Sequence, residues 1–467
     1  MVPLVMDQSL VFDIELIRRY DKSGPRYTSY PTAVQFHTGF TAEHYRAQAQ
    51  RTTRERLQGP LSLYFHIPFC DTVCFYCGCN KIVTKNRART VPYLDHLYKE
   101  VALQGALYGR QRPVTQLHWG GGTPTFLSQE QMRGLMAVTR EHFMLLDNDN
   151  GEYSIEIDPR EADPSTIALL RELGFNRLSM GVQDFDAKVQ LAVNRVQSEE
   201  QTFTILDAAR NAGFKSVSLD LIYGLPNQSV HSFARTLEKV IAVGPDRLSV
   251  FNYAHLPEMF KTQRQIKAEE LPSATEKLAI LQNTIERLNQ AGYVYIGMDH
   301  FAKPQDELAI AQREGSLYRN FQGYSTHAEC DLIGLGVTSI SMVGDCYAQN
   351  SRDIEDYYQR LDRNELPVLR GVELTADDKL RREVITQLIC HFEVHYQTIN
   401  TRYGVEFGDY FAREIAELRN MQHDGLVRVD DNGIYVEPTG RLLIRNVCMV
   451  FDRYLREQKG LGFSKVI

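Results

Sequence analysis

The sequence predicts an α/β protein whose parallel β-sheet rolls into a partial barrel of six or seven strand–helix units. Strand-length apolar runs alternate with helical patterns over residues 61–302, and this order is typical of a parallel sheet. Right-handed crossovers would close such units towards a barrel. The strand-like runs lie near residues 61–69, 114–119, 153–158, 176–182, 216–223, 247–253 and 293–299.

Helix boundaries in this region carry capping signals. A capping box pairs a serine with a glutamine or glutamate three residues later. The predicted boxes are Ser128 with Gln131, Ser198 with Gln201, and Ser273 with Glu276. The glycines that follow predicted helix ends, as C-caps do, are Gly174, Gly213 and Gly292.

Two further regions flank the barrel, which with its extension is predicted to span residues 61–370. Residues 1–60 form an N-terminal extension and possible lid. Within it, residues 23–32 (S-G-P-R-Y-T-S-Y-P-T) should be irregular, because turn-forming residues dominate. Arg26 and the nearby tyrosines favour a lid over a passive arm.

Residues 371–467 are predicted to form a mainly helical C-terminal domain that resembles a winged-helix module. Helical patterns cover 374–390, 408–421 and 440–458, and a hairpin turns at Asp431-Asn432-Gly433. The absence of an obvious basic recognition face favours a lid or packing role over DNA reading.

Composition narrows the classes of function. The formal net charge is −7 and no Lys/Arg tract stands out, which disfavours a nucleic-acid partner. No apolar run approaches the ~18 residues of a membrane span, and the first residues lack the pattern of a signal peptide. The expectation is a cytoplasmic protein without a membrane partner, with a monomer favoured. A polycarboxylate ligand would need a local basic patch.

Four of the eight cysteines fall within ten residues, at Cys70, Cys74, Cys77 and Cys79. The first three are spaced C-x3-C-x2-C on a loop that leaves the first predicted strand. Three thiolates on so short a loop can hold three irons of a cubane cluster and leave the fourth iron open. An open position is what a catalytic metal site needs.

Simpler structural roles fit these four cysteines less well. A disulfide framework is disfavoured, since eight cysteines are few for 467 residues. A structural zinc site usually draws its ligands from two separated C-x2-C knuckles, and no second pair lies at a suitable distance. Buried structural cysteines are rarely so close together.

Distinctive residues collect at the carboxyl ends of the predicted strands, where parallel βα folds place their sites. The cysteines follow the first strand. The others, from the second strand to the sixth, are Gly120, Gly121 and Gly122; Glu156 and Asp158; Gln183 and Asp184; Asp220 and Tyr223; and Asn252, Tyr253 and Ala254.

The cysteine spacing, followed by G-G-G-T-P at 120–124, resembles the radical S-adenosylmethionine superfamily. Four further motifs resemble one family within it, the oxygen-independent coproporphyrinogen III oxidases. These motifs are H-W-G-G-G-T-P-T (118–125), G-V-Q-D-F (181–185), D-L-I-Y-G-L-P (220–226) and N-Y-A-H-L-P (252–257). The match runs from Ser23 to the C-terminus, and the barrel is therefore expected to be of the radical S-adenosylmethionine kind.

The resemblance implies an oxidoreductase of haem biosynthesis. It would convert two propionates of coproporphyrinogen III to vinyl groups without O2, giving protoporphyrinogen IX. The implied cofactors are a 4Fe-4S cluster and two molecules of S-adenosylmethionine, which yield a 5′-deoxyadenosyl radical. An electron donor for the cluster and an unidentified electron acceptor are also implied.

The resemblance also implies roles for individual residues. Cys70, Cys74 and Cys77 would ligate the cluster, and Cys79 would be a non-ligand that activity requires. Tyr64 would pack on the cofactor. The positions matching the cluster-bound S-adenosylmethionine are Tyr64, Gly121, Glu156, Ala254 and Ile340; those matching the second are Gly122, Thr123, Gln183, Arg195 and Asp220. Physically, carboxylates suit an ammonium group and ribose hydroxyls, and Arg195 suits a carboxylate.

The alternative function is a haem chaperone, a related branch that handles haem without decarboxylation. The fourth cysteine and the segment S-G-P-R-Y-T-S-Y-P distinguish the oxidases, and this chain has both. Lone histidines are more often structural, so no catalytic role is predicted for His66, His118, His255 and His300. The scattered cysteines are predicted to be inert; they are Cys330, Cys346, Cys390 and Cys448.

Overall fold

A computed structural model describes residues 10–457, which are built around one large β-sheet. Twelve strands lie along the path of this sheet. They are β1 (Leu61–Ile67), β2 (Pro113–Gly121), β3 (Glu152–Ile157), β4 (Arg177–Gln183), β5 (Ser216–Tyr223), β6 (Arg247–Asn252), β7 (Val294–Gly297), β8 (His300–Ala302), β9 (Asp331–Leu335), β10 (Ile340–Val343), β11 (Cys346–Asn350) and β12 (Val368–Glu373).

Strands β1 to β6 lie side by side in chain order, and each is parallel to the next. Helices fill the connections, as crossovers between parallel strands require. This confirms the predicted six-unit parallel βα series. Short strands off the path are Phe69–Cys70, Ile82–Val83, Met144–Leu145, Tyr318–Asn320 and Gly323–Ser325.

The seventh parallel strand is not the predicted segment 293–299. That segment forms β7, but the antiparallel strand β8 lies between it and β6. Only two residues join β7 to β8, too few for a crossover helix. The strand parallel to β1 on its other side is β9, which lies outside the strand-like runs predicted from the sequence. All five residues of β9 are buried, as a central parallel strand requires.

Seventeen helices lie within the described residues. They are α1 (Ile14–Tyr20), α2 (Ala42–Glu55), α3 (Thr90–Tyr108), α4 (Gln129–His142), α5 (Pro164–Glu172), α6 (Ala187–Ala192), α7 (Glu199–Asn211), α8 (Val230–Val243), α9 (Ala274–Gln290), α10 (Glu307–Glu314), α11 (Ile354–Asp362), α12 (Ala376–His391), α13 (Tyr396–Tyr403), α14 (Phe407–Tyr410), α15 (Ala412–His423), α16 (Ile444–Val450) and α17 (Arg453–Glu457). None of these helices has the length and hydropathy needed to cross a membrane.

Two of the three predicted capping boxes are complete, at Ser128 and Ser198. The third is half formed. The Ser273 hydroxyl accepts a hydrogen bond from the Glu276 amide, but the Glu276 carboxylate accepts one from Val230 N, at 2.8 Å. Glu276 therefore caps the neighbouring helix α8, a tertiary contact that its own sequence position does not reveal.

The C-terminal region contains the predicted hairpin, with strands Val427–Val429 and Gly433–Val436. A third strand, Glu393–His395, joins the hairpin. The predicted helix 440–458 is instead two helices, α16 and α17, and its last residue lies outside the described part of the chain. The break is at Asp452, whose carboxylate accepts a hydrogen bond from Leu455 N at 3.2 Å and caps α17.

The N-terminal segment 23–32 is irregular, as predicted, and it is fixed to the C-terminal helices. Tyr27 OH donates to the Asp452 carboxylate at 3.0 Å, and Tyr30 OH accepts from Arg453 N at 3.1 Å. Both tyrosine rings are buried. The Arg445 guanidinium donates to the carbonyls of Gly24 and Pro25.

Candidate active site

The cysteine loop follows the carboxyl end of β1, and a pair of short strands closes its base. Strand Phe69–Cys70 pairs in parallel with Ile82–Val83. Two more hydrogen bonds fasten the loop to the residues after α6: Phe75 N donates to Val193 O at 3.0 Å, and Asn194 Nδ2 donates to Val73 O at 2.8 Å. The loop is thus held through its own backbone by a strand pair and two further hydrogen bonds, as a rigid metal site requires.

Each sulfur of the three predicted ligands accepts a hydrogen bond. Thr123 Oγ1 donates to Cys70 Sγ at 3.7 Å, and Cys79 N donates to Cys77 Sγ at 3.5 Å. Cys74 Sγ receives two arginine donors, one from Arg160 and one from Arg195, each at 3.6 Å. Donors of this kind stabilise thiolates and tune the centre that they ligate.

The protonation of these thiols also fits a metal centre. A hydrogen bond from Cys79 holds the pKa of the Cys77 thiol below its usual range. Burial raises the pKa of Cys70 to about 11. A bound cation would offset that cost, because metal ligation deprotonates a thiol.

The spacing of the sulfurs favours a cluster over a single ion. Among the described residues, one group alone brings three His, Cys, Asp or Glu ligand atoms within 4.8 Å of one another, and it contains none of these cysteines. A tetrahedral zinc ion with bonds of about 2.3 Å to sulfur needs its ligands closer than that. A cubane cluster, whose irons bind separate thiolates, suits the wider spacing.

The glycine run ends β2 against the cysteine strand. A Cβ on Gly122 would lie 2.6 Å from Phe69 O, and a Cβ on Gly120 would lie 2.9 Å from the Glu156 carboxyl carbon. Gly121 has a φ of +114°, which L side chains rarely adopt. The run therefore also serves packing within the protein, in addition to the predicted approach of a ligand.

Glu156 is held by groups from the neighbouring strand. His118 Nε2 lies 3.2 Å from its Oε1, and Gly121 N donates to its Oε2 at 3.1 Å. Burial favours the neutral acid, but these hydrogen bonds outweigh burial and lower the pKa of Glu156. Tyr64 stacks on the His118 ring, with centroids 5.8 Å apart. Tyr64, Gly121 and Glu156 therefore form one contiguous group.

Arg195 is a buried side chain with one nitrogen unused. Its Nη1 donates to Asp158 at 2.9 Å, and its Nη2 donates to Gly181 O at 2.6 Å. Its buried Nε has no partner among the described residues. A buried orphaned donor is costly, and this one fits the predicted contact with a ligand carboxylate.

Gln183 and Asp220 lie beside Gly181 on adjacent strands. Gln183 ends β4 with a φ of +68°, and Asp220 pairs with Gly181 in register. Ser179 Oγ donates to Asp220 at 3.1 Å. Burial, and then the charge of Glu156, raise the pKa of Asp220 to about 6.

Ala254 lines a cavity of about 330 Å³ beyond the ends of β5 and β6. Ser23 and Arg26 of the N-terminal segment and Arg445 of α16 complete its wall. Ile340 lies apart from this group, at the start of β10 and two strands from Tyr64. It packs near Phe36, Tyr347 and Leu374.

Several residues that shape the site had no role in it predicted from the sequence. Arg160 binds Cys74, and His118 links Tyr64 to Glu156. Both have a local signal, because each is a polar residue near the carboxyl end of a predicted strand. Arg319 and Arg445 had no such local signal, because they lie outside the βα series.

Comparisons with known proteins show the superfamily and the family to which the chain belongs. The model of the Radical SAM superfamily matches residues 64–240, and that of the HemN C-terminal domain matches residues 374–443. The oxygen-independent coproporphyrinogen III oxidase of Pseudomonas aeruginosa is 57% identical over 462 residues, which cover 99% of this chain and 100% of the relative. The Escherichia coli K12 protein of that name is 53% identical, over 98% of this chain and 99% of its own.

A solved structure, described as coproporphyrinogen III oxidase (HemN) from Escherichia coli and as a radical SAM enzyme, superposes with a TM-score of 0.91. It is 51% identical, over 96% of this chain and 100% of that chain. The fold and the cysteine site thus define a radical SAM enzyme. The predicted fold class is confirmed. The chain belongs to the family of oxygen-independent coproporphyrinogen III oxidases, as its motifs predicted.

Proposed function

We propose that this chain converts two propionate side chains of coproporphyrinogen III to vinyl groups without O2, forming protoporphyrinogen IX in haem biosynthesis. The observation that carries the proposal is the cavity at the barrel mouth. Aromatic and aliphatic side chains line much of it, including Tyr223, Tyr295, Phe301 and Leu442, which suits a large flat ring.

The same cavity is locally basic in a protein of net charge −7. Its wall contains Arg26, Lys277 and Arg445, and among the described residues Asp299 is the only acidic one that lines it. Arg26 forms an ion pair with Asp299. Burial, and then the charges of Arg445 and Arg319, lower the pKa of Arg26 to about 10. This local surplus of positive charge suits a polycarboxylate.

Arg319 lies behind the cavity wall and also supports the binding of a polycarboxylate. It is 7% exposed, and its Nε and Nη1 have no hydrogen-bond partner among the described residues. Its guanidinium stacks on Tyr324, 4.7 Å from the ring centroid. We propose that Arg26, Arg319 and Arg445 together bind the propionates, with Arg26 in direct contact.

Cys70, Cys74 and Cys77 would hold the 4Fe-4S cluster, and Cys79 would stay a non-ligand next to Cys77. When bound, the cluster and S-adenosylmethionine supply the 5′-deoxyadenosyl radical. The chain's own residues position the cofactor. Glu156 would offer its carboxylate to the ammonium group of S-adenosylmethionine. Tyr64 would fix the ring of His118, and His118 in turn would orient Glu156.

We propose that a second S-adenosylmethionine binds as the family resemblance implies. Gly122, Thr123, Gln183, Arg195 and Asp220 would contact it. The orphaned Nε of Arg195 supports a carboxylate partner, and the Asp220 carboxylate suits hydroxyl or ammonium donors. Ala254 and Ile340 are assigned to the first molecule, along with Tyr64, Gly121 and Glu156.

We further propose a monomeric, cytoplasmic enzyme that draws on an electron donor for the cluster and passes substrate electrons to an unidentified acceptor. The segment 23–32 is proposed to act as a lid, because Ser23 and Arg26 line the cavity.

The deciding experiment is an anaerobic assay with reduced protein, S-adenosylmethionine and coproporphyrinogen III. We expect CO2, protoporphyrinogen IX and 5′-deoxyadenosine. Protein that carries full iron and cleaves S-adenosylmethionine, but releases no CO2, would contradict the proposed reaction.

The arginine contact has its own test. Arg26→Gln should raise the KM for coproporphyrinogen III about ten- to a hundredfold, since a charged hydrogen bond contributes about 1.5–3 kcal/mol. Arg26→Lys should recover part of that loss. Arg133→Gln, which removes an exposed pair with Glu172, is the matched control and should change nothing. An unchanged KM in Arg26→Gln would remove Arg26 from the substrate site.

A further inference from the structure

The turn before β9 carries three potential metal ligands at the amino edge of the sheet, opposite the cysteine loop. His327, Glu329 and Cys330 place one ligand atom each within 4.8 Å of one another. They are the only such group among residues 10–457. Cys330 N donates to His327 O at 3.4 Å, so one tight turn presents all three side chains.

The separations within this turn are close to those of a bound ion. His327 Nδ1 lies 3.6 Å from Glu329 Oε1, and Cys330 Sγ lies 4.0 Å from the same oxygen. Zinc bonds of about 2.0–2.3 Å at tetrahedral angles place neighbouring ligands roughly 3.3–3.6 Å apart. Small side-chain rotations would therefore bring the three atoms onto one ion.

The other imidazole nitrogen already faces a carboxylate. His327 Nε2 lies 3.7 Å from Glu152 Oε2 at the start of β3. Glu152 is itself held by Gln116 Nε2, which donates to its Oε1 at 3.0 Å. A carboxylate behind a histidine fixes the ring and strengthens it as a ligand, as in many zinc sites.

We propose that His327, Glu329 and Cys330 bind one zinc ion, with Glu152 supporting His327 from behind. A thiolate, an imidazole and a carboxylate form a typical zinc ligand set, and three protein ligands leave one position for water. Cys330 is buried and Glu329 is exposed, so the ion would lie at the surface. It would tie the turn before β9 to β3. Cys330, predicted from the sequence to be inert, would be a ligand.

The test uses anaerobically purified protein whose iron content shows a complete cluster. Zinc is added, loosely bound metal is removed with a weak chelator, and the remaining metal is counted by mass spectrometry. X-ray absorption at the zinc edge then reads the ligands without interference from iron. We expect one zinc per chain, with one sulfur neighbour and the rest nitrogen or oxygen.

Variants test the assignment. Cys330→Ser and His327→Gln should lower zinc affinity at least tenfold while keeping full iron. Glu152→Gln should lower it about 10- to 100-fold, as loss of a supporting carboxylate does. The control is His395→Gln: His395 is more exposed than His327 and lies 3.1 Å from Glu393 in a pair without a thiol, and its loss should leave zinc binding unchanged.

Two results would overturn the proposal. The first is wild-type protein that retains no more zinc than Cys330→Ser. The second is a retained zinc with three or more sulfur neighbours, which would place it at the cluster cysteines. Because wild-type protein alone supplies the absorption spectrum, the test stands even if a variant folds poorly.

Discussion

At the residue scale, the three predicted cluster ligands have different surroundings, but the sulfur of each one accepts a hydrogen bond. Thr123, the two arginines and the Cys79 amide donate to Cys70, Cys74 and Cys77 respectively. Cys79 is more exposed than the other three. We therefore make one prediction for the three ligands and a different one for Cys79.

The first prediction concerns the ligands. Anaerobically purified protein should contain about four irons, and Cys70→Ser, Cys74→Ser and Cys77→Ser should each lose the cluster, because a serine hydroxyl replaces a thiolate poorly. Iron and sulfide analysis with electron paramagnetic resonance would measure this. Full iron content in all three variants would show that these cysteines do not ligate the cluster.

The second prediction concerns Cys79. It lies only two residues after Cys77 and is expected to donate to that sulfur without binding iron. Cys79→Ser should keep about four irons and still bind S-adenosylmethionine, yet lose turnover of coproporphyrinogen III. Loss of iron in this variant would make Cys79 a ligand and close the position that the cofactor needs.

A third prediction follows from the raised pKa of Asp220. Burial and Glu156 raise it, and Arg195 opposes them, with the result near 6. If the ionised form binds S-adenosylmethionine, affinity should rise about fourfold from pH 5.5 to 7.5, as the ionised fraction grows. Asp220→Asn should bind more weakly at pH 7.5 and lose this dependence. Equilibrium dialysis would measure it, and an unchanged pH profile in the variant would exclude Asp220.

At the element scale, the site depends on where segments end. Each parallel strand brings its carboxyl end to one edge, so residues far apart in the chain meet there. The N-terminal segment and α16 close the same edge from outside, through Arg26 and Arg445. The N-terminal segment is anchored to the C-terminal helices through Tyr27 and Tyr30.

The fourth prediction is the effect of deleting residues 1–32. The cluster and reductive cleavage of S-adenosylmethionine should remain, because the loop and strand-end residues after Tyr64 provide them. Decarboxylation should fall more than tenfold, and 5′-deoxyadenosine should still form without CO2. Arg18→Gln, an exposed change in α1, is the control. A truncated protein that decarboxylates at the full rate would make the segment a passive arm.

At the scale of the whole molecule, charge is distributed unevenly. The chain has a net charge of −7, yet Arg26, Arg319 and Arg445 gather near one cavity. The pKa values of Arg26 and Arg445 are both lowered, to about 10, with burial the largest cause. Such a group is costly in the free protein, and a bound polycarboxylate would offset the cost.

The sequence by itself determined the βα order, the two complete capping boxes, the cysteine loop and the family. These depend on residues close together in the chain: a strand-length apolar run, a serine three residues before a glutamine, or cysteines within ten positions. Local backbone preferences and spacing are enough to set such features.

Only the tertiary structure decided which strand is seventh in the parallel row, which carboxylate caps α8, and which arginines surround the cavity. β9 pairs with β1 through residues 270 positions apart, and Arg26 approaches Arg445 across more than 400. Likewise, Glu152 stands behind His327 only because β3 and the turn before β9 meet at one edge. Contacts over such separations arise from packing of the complete chain, and no local pattern encodes them.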